Sequence, residues 1–278
     1  MTTVKLVLGD KAIRVDNRVA KLSNKKLRSL APLAPLGEVE ELDIGYNALT
    51  SLADMPRFPK LHTLQAFGMK LEDLRGIERA PALARVSADV KDASALRKLR
   101  NLTHVWLTTQ AKDLRFLAGL PKLQYIAITA PLTSLAGIER LPSLGELVVH
   151  GAKLSRLKAV THPVLWKLIV SDSGLQQVPD VRTPKLLLAL FHDNAISRMG
   201  KLDAPVLRNL NVSGNPLTHL EGLDHLKGLE ELSFDGRRIK TIAKATDAHL
   251  RGIGQLRLSV ASRGVADYAT YAAKKPIV

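Results

Sequence analysis

Residues 207–228 read LRNLNVSGNPLTHLEGLDHLKG, with Leu207, Leu210 and Val212 at positions one, four and six of a unit that begins again at Leu229. Leu210 and Val212 alternate with Asn209, Asn211 and Ser213, the period of two that marks a short strand with one face in a core. Leu217, Leu220, Leu223 and Leu226 then follow at intervals of three. Apolar residues three apart eclipse on a 3₁₀ turn, so the return segment reads as 3₁₀ turns or irregular loop rather than long α-helix.

Working outward, the same start recurs at Val39, Leu61, Leu83, Leu102, Leu123, Leu144, Leu165, Leu186, Leu207 and Leu229, spaced 22, 22, 19, 21, 21, 21, 21, 21 and 22 apart. An eleventh start is expected at Ile253, with Arg257 at its position five. A unit of this length cannot bury its own apolar side and must stack on its neighbours, which predicts a solenoid offering an extended strip of surface. Proline stands two residues before the start in seven units, at Pro59, Pro81, Pro121, Pro142, Pro163, Pro184 and Pro205, closing the return segment where no ladder N–H is needed.

The pattern over residues 39 to 260 resembles the leucine-rich repeat family, whose motif runs Leu-x-x-Leu-x-Leu-x-x-Asn-x-Leu. Its period is similar to the short-repeat subclass shared by a eukaryotic phosphatase regulator and bacterial internalin-like surface proteins. The resemblance implies an α/β solenoid with a parallel sheet on the concave side, 3₁₀ turns and loops on the convex side, and a role as a protein-binding scaffold. Asn47, Asn194 and Asn215 occupy the asparagine position, whereas Met69, Ala152, Ser173 and Arg237 replace it, which predicts a less regular ladder of loop hydrogen bonds there.

Both ends read as caps, which a solenoid needs over its last layers. Residues 1–38 predict a β-hairpin, Val4 to Leu8 against Ala12 to Val15, then a degenerate repeat through Leu22, Leu27, Leu30, Leu33 and Leu36. In residues 261–278, Val265, Tyr268, Ala269 and Ala272 have helical spacing, read as a lid on the last layer or as a peptide for a separate partner. The 46% of hydrophobic residues against 4% aromatic predict a core of Leu, Val, Ile and Ala. No cysteine is present, which excludes a disulfide framework, a thiolate zinc cluster and a catalytic thiol, and leans toward a reducing compartment. Met1 to Leu8 is too short an apolar run for a signal-peptide core or a membrane span, so the expectation is a cytoplasmic protein.

If positions four and six point inward, positions three, five and seven line the concave face. Position five then gives Trp106, Ala127, Val148, Ile169 and Leu190 in succession; position three adds His104, Tyr125 and Leu188, and position seven His150 and His192. Such positions are ordinarily polar, and a contiguous exposed apolar patch marks an interaction site. With strands about 4.8 Å apart, Trp106 to Leu190 spans roughly 19 Å. Trp106 is the expected anchor, with Tyr125 and His104 adding aromatic area and Val148, Ile169, Leu188 and Leu190 adding apolar area. The alternative is that a segment of the same chain covers Trp106 and Tyr125.

The formal charge is +15, but residues 1–30 hold eight basic and two acidic residues and residues 237–278 hold nine and two, leaving 24 against 22 between. On the concave positions six acids (Glu41, Asp43, Asp89, Glu146, Glu231, Asp235) face three bases (Arg85, Lys167, Arg257), not the continuous basic footprint of a nucleic-acid reader. Lys21, Lys25, Lys26 and Arg28, and separately Arg237, Arg238, Lys240 and Lys244, supply the competing reading: an electrostatic adaptor that holds nucleic acid or an acidic protein. No glycine loop for phosphate and no nucleophile–base arrangement is legible. His150 and His192 lie two strands apart, about 9.6 Å, too far to share a metal. The sequence therefore predicts a non-catalytic module without cofactor, binding a protein, and the caps argue for a monomer.

Overall fold

The structure is a computed structural model that describes residues 3–8, 11–157, 159–253, 256–260 and 268–278, with the backbone alone of Ser259 and Val260. The chain divides into two compact units, Met1–Pro131 with Ala136–Leu144, and Leu132–Leu135 with Gly145–Val278.

In the first unit, strands Val19–Lys21, Glu41–Asp43, Thr63–Asp73, Arg85–Asp92, His104–Thr108 and Tyr125–Thr129 form one parallel sheet, each the neighbour of the next. Leu42, Leu64, Val86, Val105 and Ile126 are aligned across it at position four and are fully buried. Position six, Ile44, Ala66, Ala88, Leu107 and Ile128, is buried as well. Return segments carry 3₁₀ turns at Ala31–Leu33, Ile77–Arg79, Ser94–Lys98, Arg115–Leu117 and Ile138–Arg140. The three-residue period explains them: Leu74, Ile77 and Ala80, or Leu114, Leu117 and Leu120, fall on one side of a 3₁₀ turn and are all buried. The 19-residue spacing from Leu83 is absorbed where the register shifts between Ala66 and Leu71. Asp89 stands opposite the extra residues there, and its Oδ2 accepts the N–H of Gly68 at 2.6 Å.

The second unit repeats the design with strands Glu146–His150, Lys167–Ser171, Leu188–Leu190, Asn209–Asn211, Glu231–Phe234 and Arg257–Val260. Leu147, Leu168, Ala189, Leu210 and Leu232 are buried at position four, and Val149, Val170, Phe191, Val212 and Phe234 at position six. Its return segments are largely irregular, one of the two expected forms, with short extended stretches among them. Instead of 3₁₀ turns, Val160–Thr161, Val181–Arg182 and Leu202–Asp203 pair as a small outer parallel sheet. Burial there alternates, as in Val160 with His162 and Val181 with Thr183, and a period of two selects extended backbone.

The last coil departs further. A nine-residue helix, α1 (Lys244–Gly252), takes the return path, and the following strand pairs Arg257 with Glu231 and Leu258 with Leu232. Arg257 thus occupies position three, not the expected position five, because a helix consumes more residues than a turn over the same span. The start expected at Ile253 is displaced by two residues accordingly.

The asparagines behave as the motif requires. Asn215 Nδ2 donates to Phe191 O and Val212 O, both at 2.9 Å, and its Oδ1 accepts Ile196 N–H at 3.0 Å. Asn47 and Asn194 likewise bridge adjoining loops, Asn194 through Val170 O, Phe191 O and the N–H of Ser173. Where asparagine is missing, Ser173 supplies part of the set: its Oγ donates to Ser171 O at 2.8 Å and accepts Ala152 N–H at 3.2 Å.

At the first end Thr3–Leu8 and Lys11–Asp16 pair antiparallel, with Leu6 and Val15 buried, and Leu22, Leu27, Leu30, Leu33 and Leu36 are buried beneath the first coil. At the other, α2 (Tyr268–Ala272) buries Tyr268, Tyr271 and Ala272; Val265 of the expected helix lies outside the described residues.

Candidate functional site

Backbone register on the first unit lines up two rows on the open face of the sheet. Glu41, Thr63, Arg85, His104 and Tyr125 share position three, and Asp43, Gln65, Ser87, Trp106 and Ala127 share position five. Flanking buried residues fix the strand, so these side chains project outward by alternation alone. His104, Trp106 and Tyr125 meet as a stack: His104 lies 5.8 Å from Trp106 at 17° and 5.7 Å from Tyr125 at 24°, and Trp106 lies 5.1 Å from Tyr125 at 41°. Aromatic pairs attract at such separations and offsets. His104 Nδ1 is 2.9 Å from Thr103 Oγ1. Trp106 stays 39% exposed, so no described segment of the chain covers it.

Beside the stack a groove of about 590 Å³ runs along the face, lined by Glu41, Thr63, Gln65, Phe67, Arg85, Ser87 and Trp106. Phe67, one of the lining residues, meets Tyr46 edge-on at 5.4 Å and 85°. That contact requires glycine at 68, where φ is +69° and a Cβ would stand 2.4 Å from the Tyr46 ring. Tyr46 is exposed and escaped the sequence reading, because it lies one residue beyond the strand positions that alternation assigns to the face.

The remaining expected contacts lie on the second unit. Val148, Ile169 and Leu190 are in register at position five, and Leu188 stands beside Lys167 at position three; all four apolar residues are half-buried. The row is bounded by an ion pair, Lys167 Nζ to Glu146 Oε2 at 3.1 Å, and by Asn209 Nδ2 donating to Glu231 Oε2 at 2.7 Å. His150 Nδ1 lies 3.1 Å from Ser171 Oγ, and His192 Nδ1 2.8 Å from Asp193 Oδ2, so both imidazoles already have partners in the chain. Of the nine expected contact residues, three therefore cluster on the first unit and six on the second.

Sequence reasoning also missed the exposed apolar residues Trp166, Leu187 and Val206 at the edge where the strands begin. Leu187 N donates to Trp166 O at 2.8 Å, which places the two on adjacent coils, and Lys167 Nζ lies 5.9 Å over the Trp166 ring. Trp166 and Leu187 stand at position two of their repeats and Val206 one residue before the start at Leu207, all outside the positions that point off the sheet.

Lys21, Lys25, Lys26 and Arg28 on the first unit are exposed, and none forms an ion pair among the described residues. Arg237, Arg238, Lys240 and Lys244 on the second are exposed too, with Arg238 3.8 Å from Asp235. Among the described residues no group of three or more His, Cys, Asp or Glu could hold a metal ion. No described helix is long and apolar enough to cross a membrane.

Neither protein-family models nor curated proteins match the sequence. Solved structures do match in fold. An internalin, inlF, from Listeria monocytogenes aligns over 93% of this chain and 85% of its own at a TM-score of 0.56 and 17% identity. The leucine-rich repeat domain of APL1B aligns over 90% of both chains at a TM-score of 0.61 and 13% identity. TLR13, solved in complex with ssRNA13, matches 84% of this chain but only 37% of its own, at a TM-score of 0.63 and 18% identity. At these identities the likeness concerns the fold.

Proposed function

We propose that this chain, a leucine-rich repeat protein by fold, is a non-catalytic module that binds a protein partner on the open faces of its sheets. The observation that carries the reading is Trp106, exposed and stacked with His104 and Tyr125 on a rigid strand. An aromatic held in one orientation by its neighbours loses little entropy on docking, and such residues anchor interfaces. On the first unit the polar rim is Glu41, Thr63, Gln65, Arg85 and Ser87. On the second, Val148, Ile169, Leu188 and Leu190 supply apolar area, and His150 and His192 add polar contacts at its margin.

The test compares wild-type, Trp106→Ala and Leu190→Glu proteins, each verified as folded, as baits in affinity purification from the native cell. A partner held by the wild type and lost from both variants supports the reading. Unchanged capture by both removes these faces from consideration.

The second reading rests on Lys21, Lys25, Lys26 and Arg28, which form no ion pair among the described residues, with the basic group of the second unit as a separate site: an electrostatic adaptor for nucleic acid or an acidic protein. Salt separates the two. Counterion release makes polyanion affinity fall steeply with ionic strength, whereas apolar docking changes little. A flat response eliminates the adaptor.

A further inference from the structure

Away from the open face, the second unit carries an outer pair of strands whose free edge is filled by the chain itself. His219–Leu220 and Thr241–Ile242 pair in parallel, and Ile242 pairs on its other side with Ile277, again in parallel. Ile242 N donates to Pro276 O at 3.0 Å, Val278 N to Ile242 O at 3.0 Å, and Lys244 N to Val278 O at 2.7 Å. Lys240 N and Ala243 N donate the opposite way, to Thr218 O and Leu220 O. Thr241–Ile242 is thus a middle strand only because residues 276–278 lie against it.

The same segment completes α1. Its N-cap, Ala243, has no side chain able to accept a hydrogen bond, and the Lys244 N–H is one of the four donors that a helix start leaves orphaned. The Val278 carbonyl takes it. Two further anchors hold the segment: the Tyr271 ring meets Phe234 at 5.2 Å while its hydroxyl donates to Gly236 O at 2.9 Å, and Lys275 Nζ donates to Ile239 O at 2.6 Å. Ile277 and Val278, by contrast, are 40% and 69% exposed. The strand is gripped by its backbone and by Lys275, while its apolar side chains stay in water. Such a contact is strand addition at a sheet edge, where main-chain bonds give affinity and few side chains give selectivity.

We propose that the outer edge of Thr241–Ile242, with the start of α1, is a peptide-acceptor site for an extended segment in parallel register that carries a lysine three residues before the carbonyl capping α1. Residues 274–278 fill it in this chain, and the matching segment of a second copy is the competing occupant, since its donors, acceptors and lysine are the same.

The experiment uses the chain shortened after Ala273, which keeps Tyr271, and follows the anisotropy of fluorescein-labelled Lys-Lys-Pro-Ile-Val. Saturable binding at least about tenfold tighter than to the full chain is expected, and replacing the second lysine of the peptide by alanine should weaken it about fivefold or more. Full-length Val278→Pro loses the N–H that Ile242 O accepts, weakens the hold of residues 276–278 on the same edge without shortening, and serves if the shortened chain does not fold. Binding to neither protein, or equal binding to the unaltered chain, overturns the proposal. Mixed oligomers between differently tagged full-length copies on size-exclusion would identify exchange between copies as the source of the occupant.

Discussion

Trp106 and Tyr125, on adjacent strands and two repeat positions apart, hold their ring centroids 5.1 Å apart at 41°, while Val105 and Leu107, which flank Trp106, are buried beneath. The pair is held by the core below and offered to solvent above.

That separation predicts opposite behaviour for neighbouring substitutions. Trp106→Ala forfeits a stacking contact on an open face and should lower stability by about 1 kcal/mol while abolishing partner capture. Leu107→Ala opens a cavity in a buried row and should cost about 2–5 kcal/mol. Urea unfolding read beside capture checks both; a large stability loss in Trp106→Ala would make its capture defect uninformative.

Asn215→Ala removes the acceptor of Ile196 N–H and the donor to Val212 O in a buried loop, whereas Phe191 O keeps Asn194 Nδ2 at 3.0 Å. At about 1–3 kcal/mol for an unsatisfied buried group, the expected loss is on the order of 3 kcal/mol. Asn47→Ala should cost less, because its loop is only part-buried and water can reach the freed groups. Chemical denaturation of the two variants ranks them.

Gly137 and Gly119 both have positive φ, +112° and +84°, but only the first has backbone in the way: a Cβ there would stand 2.5 Å from Leu114 C. Gly119→Ala should cost about 1 kcal/mol from backbone conformation alone, and Gly137→Ala roughly 3 kcal/mol or more. Thermal unfolding that shows equal losses would contradict the close approach of the two coils.

Burial pushes the Tyr271 hydroxyl up to about 12, and burial followed by the Asp247 carboxylate pushes that of Tyr268 higher still. A folded-state value above the unfolded one, near 10, means the folded chain holds its proton more tightly. The associated stability is present below pH 10 and is lost as pH rises from 10 toward 12. Denaturation midpoints measured across that window should fall more steeply for the wild type than for Tyr271→Phe, which has no proton to lose.

The sequence made the strands legible because alternation is a local signal: Leu210 and Val212 inward, Asn209 and Asn211 outward needs only covalent geometry and an apolar core. It misread the last coil, since α1 buries only Thr246 and Leu250, four residues apart, too few to show a helical period against the three-residue spacing of a 3₁₀ turn. Trp166 and Leu187 were overlooked because they stand at strand entry, where alternation says nothing. The seat of Lys275 and Val278 was illegible for a different reason: residues 274–278 carry no periodicity, and the edge they fill is made of main-chain groups.

By itself, then, the spacing of leucines determined the repeat, the inward rows and the face on which Trp106, His104 and Tyr125 stand, because those follow from side-chain direction along one strand. Only the tertiary structure decided that the three rings meet, that Ser173 stands in for a missing asparagine, and that residues 276–278 complete both a sheet edge and a helix start. Each depends on distances between residues far apart in the chain, which are fixed when coils stack and not before.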